Sequence, residues 1–196
     1  MSQAEAVAFA AQSGIGHLTT SVDGRIESTL IPFSIEDEST PTTIYGHVSV
    51  SNLQARSIED GTEALLIVDG PIAYVSPSLY PTKVENGKVV PTLNYVSVHI
   101  RGRLSPTPDT KTFHKLLATL TSRFESEQDK PWSIDDAPSD FIRKQMKTIR
   151  GFSMQINEIQ GVAKLSQNRT ESDRHSVRAA FISGADDERH IAGRVM

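Results

Sequence analysis

Three polar segments carry the residues best suited to chemistry. The first is Tyr45-Gly46-His47-Val48-Ser49-Val50-Ser51-Asn52, which ends a predicted strand and opens a predicted helical turn. An imidazole, hydroxyls and free N–H groups gathered at one point suit an anion. The same residues also describe a capped turn with a surface histidine. The second segment is Ala73-Tyr74-Val75-Ser76-Pro77-Ser78-Leu79-Tyr80-Pro81-Thr82-Lys83, followed by Pro91-Thr92-Leu93-Asn94-Tyr95. Aromatics give flat apolar walls and Ser, Thr and Asn give oriented hydrogen bonds, which together suit a planar heteroaromatic ligand. A proline-stiffened loop covered by tyrosines is the competing structural reading. The third is Lys164-Leu165-Ser166-Gln167-Asn168-Arg169, directly before a predicted helix. Two cations among amide and hydroxyl groups suit a phosphate or a polar ring edge, or equally an exposed connection.

Other chemistries are absent from the sequence. It has no glycine-rich dinucleotide or nucleotide loop, no serine-hydrolase elbow and no paired-histidine zinc helix. His17, His47, His99, His114, His175 and His190 lie far apart, with no ligand spacing. There is no cysteine, so disulfides, a thiol nucleophile, iron–sulfur clusters and Cys-ligated zinc are excluded. With 20 basic and 24 acidic residues the chain carries a formal charge of −4, which supplies no general attraction to nucleic acid. DNA binding would need a local patch, for instance around Arg101, Arg103, Arg143, Lys144 and Lys147. No apolar run approaches the roughly 20 residues that span a bilayer, and the N-terminus has no basic start. The expectation is a soluble, cytoplasmic protein.

The elements that must position these segments follow from local pattern. A helix is predicted over 3–12 and strands over 15–22 and 25–35, joined by an Asp23-Gly24 hairpin turn. Further strands are predicted over 42–49, 64–68, 72–75 and 93–104, with a helical turn over 52–59. The stretch 76–91 reads as a long excursion with a small hairpin at Asn86-Gly87. Thr107 and Pro108 should open a helix bearing Phe113, Leu116, Leu117, Leu120 and Phe124 on one face. A second helix is predicted over 138–148. A strand over 152–156 should turn at Gln160-Gly161 into another over 162–165. Thr170 and Asp173 suggest a capping box on a last helix. About eight strands without βαβ alternation predict a mainly β, α+β fold: an antiparallel closed or split β-barrel with helices outside. One domain is expected over 1–182, with a polar, flexible tail over 183–196.

The three segments together resemble the PaiB family of FMN-binding negative transcriptional regulators, in the FMN-binding split-barrel superfamily. The resemblance runs through Tyr45-Gly46-His47 and Asn52, then Gly70-Pro71 to Tyr80. It continues through Val90-Pro91-Thr92 to His99, and from Gly151-Phe152 to Arg174. The family usually has Trp where this chain has Leu79 and Leu93. The resemblance implies a split-barrel homodimer with FMN in a groove where subunits meet, and a repressor role without a recognisable DNA-binding helix pair. By motif position, His47, Ser49, Asn52 and Lys83 would meet the phosphate, and Thr92 and Asn94 the ring edge or ribityl chain. Lys164, Ser166, Gln167 and Asn168 would reach in from the same or the other subunit, and Tyr74 and Ser76 would complete the wall. Loss of two tryptophans implies loosely held FMN. A flavin-dependent oxidoreductase is the alternative, because the same barrel hosts oxidases and reductases; a haem-binding or haem-degrading barrel is a third. No acid–base pair or metal site is expected, and a non-enzymatic role is the leading one.

Overall fold

In the computed structural model the described residues are 1–37, 39–107 and 109–183. Helix α1 (Gln3–Ser13) is followed by strands β1 (Ile15–Val22), β2 (Arg25–Glu36), β3 (Thr43–Ser49), β4 (Thr62–Asp69) and β5 (Ala73–Val75). A short helix α2 (Lys83–Asn86) precedes β6 (Thr92–Pro106); then come α3 (Thr110–Glu125), α4 (Ser139–Met146), β7 (Ile149–Lys164) and α5 (Glu171–Ser183). The strands order as β4-β1-β2-β3-β7-β6-β5, and an additional β4–β6 pairing closes six of them into a ring. This is the expected antiparallel barrel, with seven strands among the described residues where about eight are expected. Beyond Ser183 the predicted tail lies outside the described residues, as do Pro108 and His190.

The residues form two compact units. The larger contains Ser2–Val68 and His99–Gln160; the smaller contains Asp69–Val98 and, among the described residues, 161–183. The larger unit buries Leu18, Ile31, Phe33, Ile44, Leu66, Ile100, Leu104, Phe152 and Met154 almost completely. Burying each such side chain contributes about 1.5–3 kcal/mol. The Asp23-Gly24 turn forms as predicted, with φ of 51° and 78°, and holds β1 and β2 in register from Val22↔Arg25 to Ile15↔Pro32. The Arg123 guanidinium of α3 caps the end of α1 through the carbonyls of Ala11 and Gln12. Gly102 is required by proximity, because a Cβ there would collide with the Gln155 carbonyl oxygen.

Four local expectations are corrected. Gln160-Gly161 makes no turn: β7 runs unbroken for 16 residues. Neither residue takes the positive φ that a two-residue hairpin turn requires. Asn86-Gly87 closes the helix α2 instead of a hairpin, with Gly87 at φ 67° as its C-cap. The N-cap of α3 is Asp109, not Thr107; its carboxylate accepts the Thr112 N–H at 2.8 Å. The Thr170 hydroxyl does accept the Asp173 N–H at 3.2 Å, but the Asp173 carboxylate binds elsewhere.

Candidate functional site

In the smaller unit, β5 and β6 pair in the register Ala73↔Asn94, Tyr74↔Leu93 and Val75↔Thr92. Strand alternation sorts these pairs onto two faces. Tyr74 and Leu93 lie on the outer face, 49% and 46% exposed. Asn94, Ala73 and Val75 lie on the inner face and are buried, with Thr92 half-buried beside them. Tyr74 therefore occupies the opposite side of the ribbon from Thr92 and Asn94.

The inner face is where the third polar segment docks. The Lys164 ammonium donates to the Thr92 hydroxyl at 2.7 Å. The Ser166 hydroxyl donates to the Asn94 side-chain carbonyl at 2.9 Å, both residues being buried. Ser166 holds a φ of 61°, a left-handed conformation uncommon for a residue with a Cβ. Gln167 folds back on its own segment, accepting from the Leu165 N–H at 2.6 Å and donating to the Ala163 carbonyl. Asn168 is exposed.

Two further contacts complete the cluster, and sequence patterns missed both. The Arg169 guanidinium stacks over the Tyr80 ring, 4.5 Å from its centroid. Buried Asp173 accepts the Thr82 N–H at 3.2 Å and its hydroxyl at 2.8 Å. Tyr80 packs with Ala73, Val75, Val177 and Phe181, with Leu79 and Val89 against them. Its hydroxyl is buried with no hydrogen-bond partner among the described residues. Ser76 caps the short 3-10 turn Pro77–Leu79 by accepting the Ser78 N–H. Lys83, the first residue of α2, is exposed. The two positions that carry tryptophan in the resembling family are thus unlike: Leu79 packs on the core, and Leu93 faces outward.

The larger unit holds the other three residues. His47 and Ser49 lie on one face of β3, opposite the buried Ile44 and Val48. His47 pairs with Gly151 across β3 and β7. Its Nδ1 is buried and unpartnered among the described residues, and desolvation lowers its pKa below the usual histidine range. The Thr107 hydroxyl, equally unpartnered, lies where a Cβ on Gly151 would be. Ser49 is exposed and shares a 2.8 Å hydrogen bond with Ser51. Asn52 caps the 3-10 turn Leu53–Ser57, accepting the Gln54 N–H and donating to the Thr29 hydroxyl. The candidate basic patch is partly neutralised, since Arg101 lies 3.5 Å from Glu158 and Arg103 2.9 Å from Glu63. No cluster of three metal-ligating side chains occurs among the described residues, and none of their helices is long and apolar enough to cross a membrane.

The chemistry of the smaller unit suits an anionic group: one hydroxyl contact leaves the Lys164 ammonium two further donors, and Lys83 is solvent-facing. The ring-closed antiparallel barrel is the architecture of flavin-binding split-barrel proteins. The FAD and haem binding protein of Mycobacterium smegmatis matches it with a TM-score of 0.61, over 83% of this chain and 71% of that one, at 14% identity. The flavocytochrome Anf3 of Azotobacter vinelandii matches with a TM-score of 0.53, over 89% and 73%, at 17% identity. At these identities the likeness concerns the fold.

The sequence comparisons are more specific. The family model "Putative FMN-binding domain" matches residues 1–158, and the chain belongs to that family. The protease synthase and sporulation protein PAI 2 of Bacillus subtilis is 32% identical over 165 residues, covering 84% of this chain and 77% of that protein. The resemblance to the PaiB family is thereby upheld, with FMN as the family's cofactor. Lys164, Ser166, Gln167 and Asn168 lie past the residues matched by the family model.

Proposed function

We propose that this chain is an FMN-binding regulatory protein that works as a homodimer. The observation that supports it most is the similarity to PAI 2 across most of both chains. FMN, when bound, brings a dianionic phosphate and a redox-active ring; the protein contributes binding and orientation. Lys164, steadied by Thr92, and the exposed Lys83 are the cations assigned to the phosphate, both within the smaller unit. Asn52, Asn94, Ser166 and Gln167 already spend side-chain hydrogen bonds inside the fold, so their part is to hold the segments in shape. The homodimer draws support from the outward face of β2, where Ile26 is 75% and Leu30 59% exposed. A second copy covering that face would remove apolar surface from water.

The visible absorption spectrum of freshly purified protein, followed by flavin titration, tests the reading. Lys83→Ala and Lys164→Ala should each weaken FMN about ten- to a hundredfold, the loss of one charge-assisted contact. Arg25→Ala should leave affinity unchanged, since Arg25 is exposed and pairs with Glu27. Wild-type affinity in both lysine variants removes this pocket. Light scattering should give a dimer mass for the native chain and a monomer for Leu30→Glu.

A flavin-dependent oxidoreductase is the second reading, favoured by the haem- and flavin-binding proteins that share the barrel. Turnover of reduced nicotinamide by the flavin-loaded protein would support it. A flavin-dependent mobility shift of DNA would support the regulator.

A further inference from the structure

A separate cleft of about 360 Å³ opens in the larger unit, between α3 and the outward faces of β2 and β3. Ser34, Glu36 and Tyr45 line one wall, and Lys115, Leu116 and Thr119 the other. The strand wall is set by register. Ser34 pairs with Tyr45 and Glu36 with Thr43, so Ser34, Glu36 and Tyr45 share one face. The Tyr45 hydroxyl donates to Glu36 Oε2 at 3.1 Å and so holds the carboxylate at the rim. Burial, then the neighbouring Glu36, raise the Tyr45 pKa, so the hydroxyl stays a donor. The Tyr45 ring packs beside Leu116 in the apolar cluster under α3 and gives the cleft a nonpolar floor.

The opposite wall carries a charge of the other sign. Lys115 is exposed, and among the described residues no acidic side chain lies within ion-pair distance of it. Glu36 and Lys115 line the same cleft without closing a salt bridge on each other. An apolar floor between an anchored carboxylate and an unmatched ammonium is complementary to a small molecule with both charges and a nonpolar body. The volume falls in the range of small-ligand sites. None of the flavin-assigned residues lines the cleft.

We propose that this cleft is a second small-molecule site that takes an apolar zwitterion, of the class of a free aromatic or branched-chain α-amino acid. The ligand's ammonium meets Glu36, its carboxylate meets Lys115, and its side chain lies on Tyr45 and Leu116.

The test is an NMR titration of the purified full chain with L-phenylalanine and L-leucine at millimolar concentration. Saturable shifts are expected in the amides of Ser34–Glu36 and of the segment 112–119 of α3. Glu36→Gln and Lys115→Met should each weaken binding about two- to fivefold, as expected for exposed charge contacts. Both side chains are at the surface, so the fold survives, which circular dichroism verifies. Lys111→Ala, on the same helix but away from the cleft, should bind as the native chain does. N-acetylphenylalanine and phenylalaninamide, each missing one charge, should bind more weakly than the parent. The proposal is overturned if no saturable shift occurs. It is equally overturned if both variants bind like the native chain, or if the singly charged analogues match the zwitterion.

Discussion

Polar residues of similar type serve opposite ends in the two units. In the smaller unit the polar groups of the second segment pair with the third segment and with α5: Lys164 with Thr92, Ser166 with Asn94, Thr82 with Asp173. In the larger unit the first segment leaves its buried imidazole nitrogen without a partner among the described residues, and its two serines, bonded to each other, face solvent. A dense polar motif is therefore no guide by itself to a ligand. What distinguishes binding from bracing is whether the hydrogen-bonding capacity is already spent inside the fold.

The largest expected effect is on the braced side. Asp173→Ala strips the Thr82 N–H and hydroxyl of their buried acceptor, and should cost about 2–4 kcal/mol, read as a lowered denaturation midpoint. A loss below about 0.5 kcal/mol would show that the smaller unit is not braced by this contact.

The two leucines at the family's tryptophan positions sharpen the contrast within one ribbon. Leu79→Trp forces a larger ring onto the packed cluster around Tyr80 and should destabilise by about 1–3 kcal/mol. Leu93→Trp, on the exposed face, should be tolerated within about 0.5 kcal/mol. If the flavin ring stacks there, Leu93→Trp also tightens FMN. Equal destabilisation by both substitutions would contradict the two-faced ribbon.

Tyr80→Phe removes a buried hydroxyl that has no partner among the described residues, and keeps the ring beneath Arg169. Thermal denaturation should show a change between neutral and about 1 kcal/mol stabilising, whereas a substantial loss would reveal a hydrogen bond the hydroxyl makes through water.

On the unspent side the smallest effect is a pH slope. The folded-state pKa of His47 lies below its ordinary value of 6.5, so the unfolded chain binds the proton more readily. The stability this group contributes is fully present above about pH 6.5 and declines as pH falls toward the folded-state pKa. His47→Gln should flatten that part of the stability–pH curve; an unchanged slope would assign it to other groups.

Local features were legible in the sequence. Asp23-Gly24 announces its hairpin because both positions need positive φ, and β6 announces its buried face through Val96, Val98 and Ile100. Gln160-Gly161 misled because glycine also sits comfortably inside an extended strand. Asp173 misled because the short-range capping pattern gave no sign of Thr82, 91 residues away. The placement of Tyr74 opposite Thr92 follows from the β5–β6 register, which three residues of strand could not declare in advance. Site assembly is a matter of such distant pairings, and a single sequence records only its local half.

The contacts that brace the smaller unit span 72 and 91 positions of chain. During synthesis the loop at 76–87 and the β5–β6 ribbon emerge long before the helix that supplies Asp173, Val177 and Phe181. Until then the inner face of the ribbon, Asn94 included, waits without its cover. A chain ended at Glu158, where the family match stops, would hold it in that state permanently. Vectorial folding thus makes the smaller unit the last part to mature, and exposes its apolar face to chaperones and proteases for as long as the ribosome takes to reach α5.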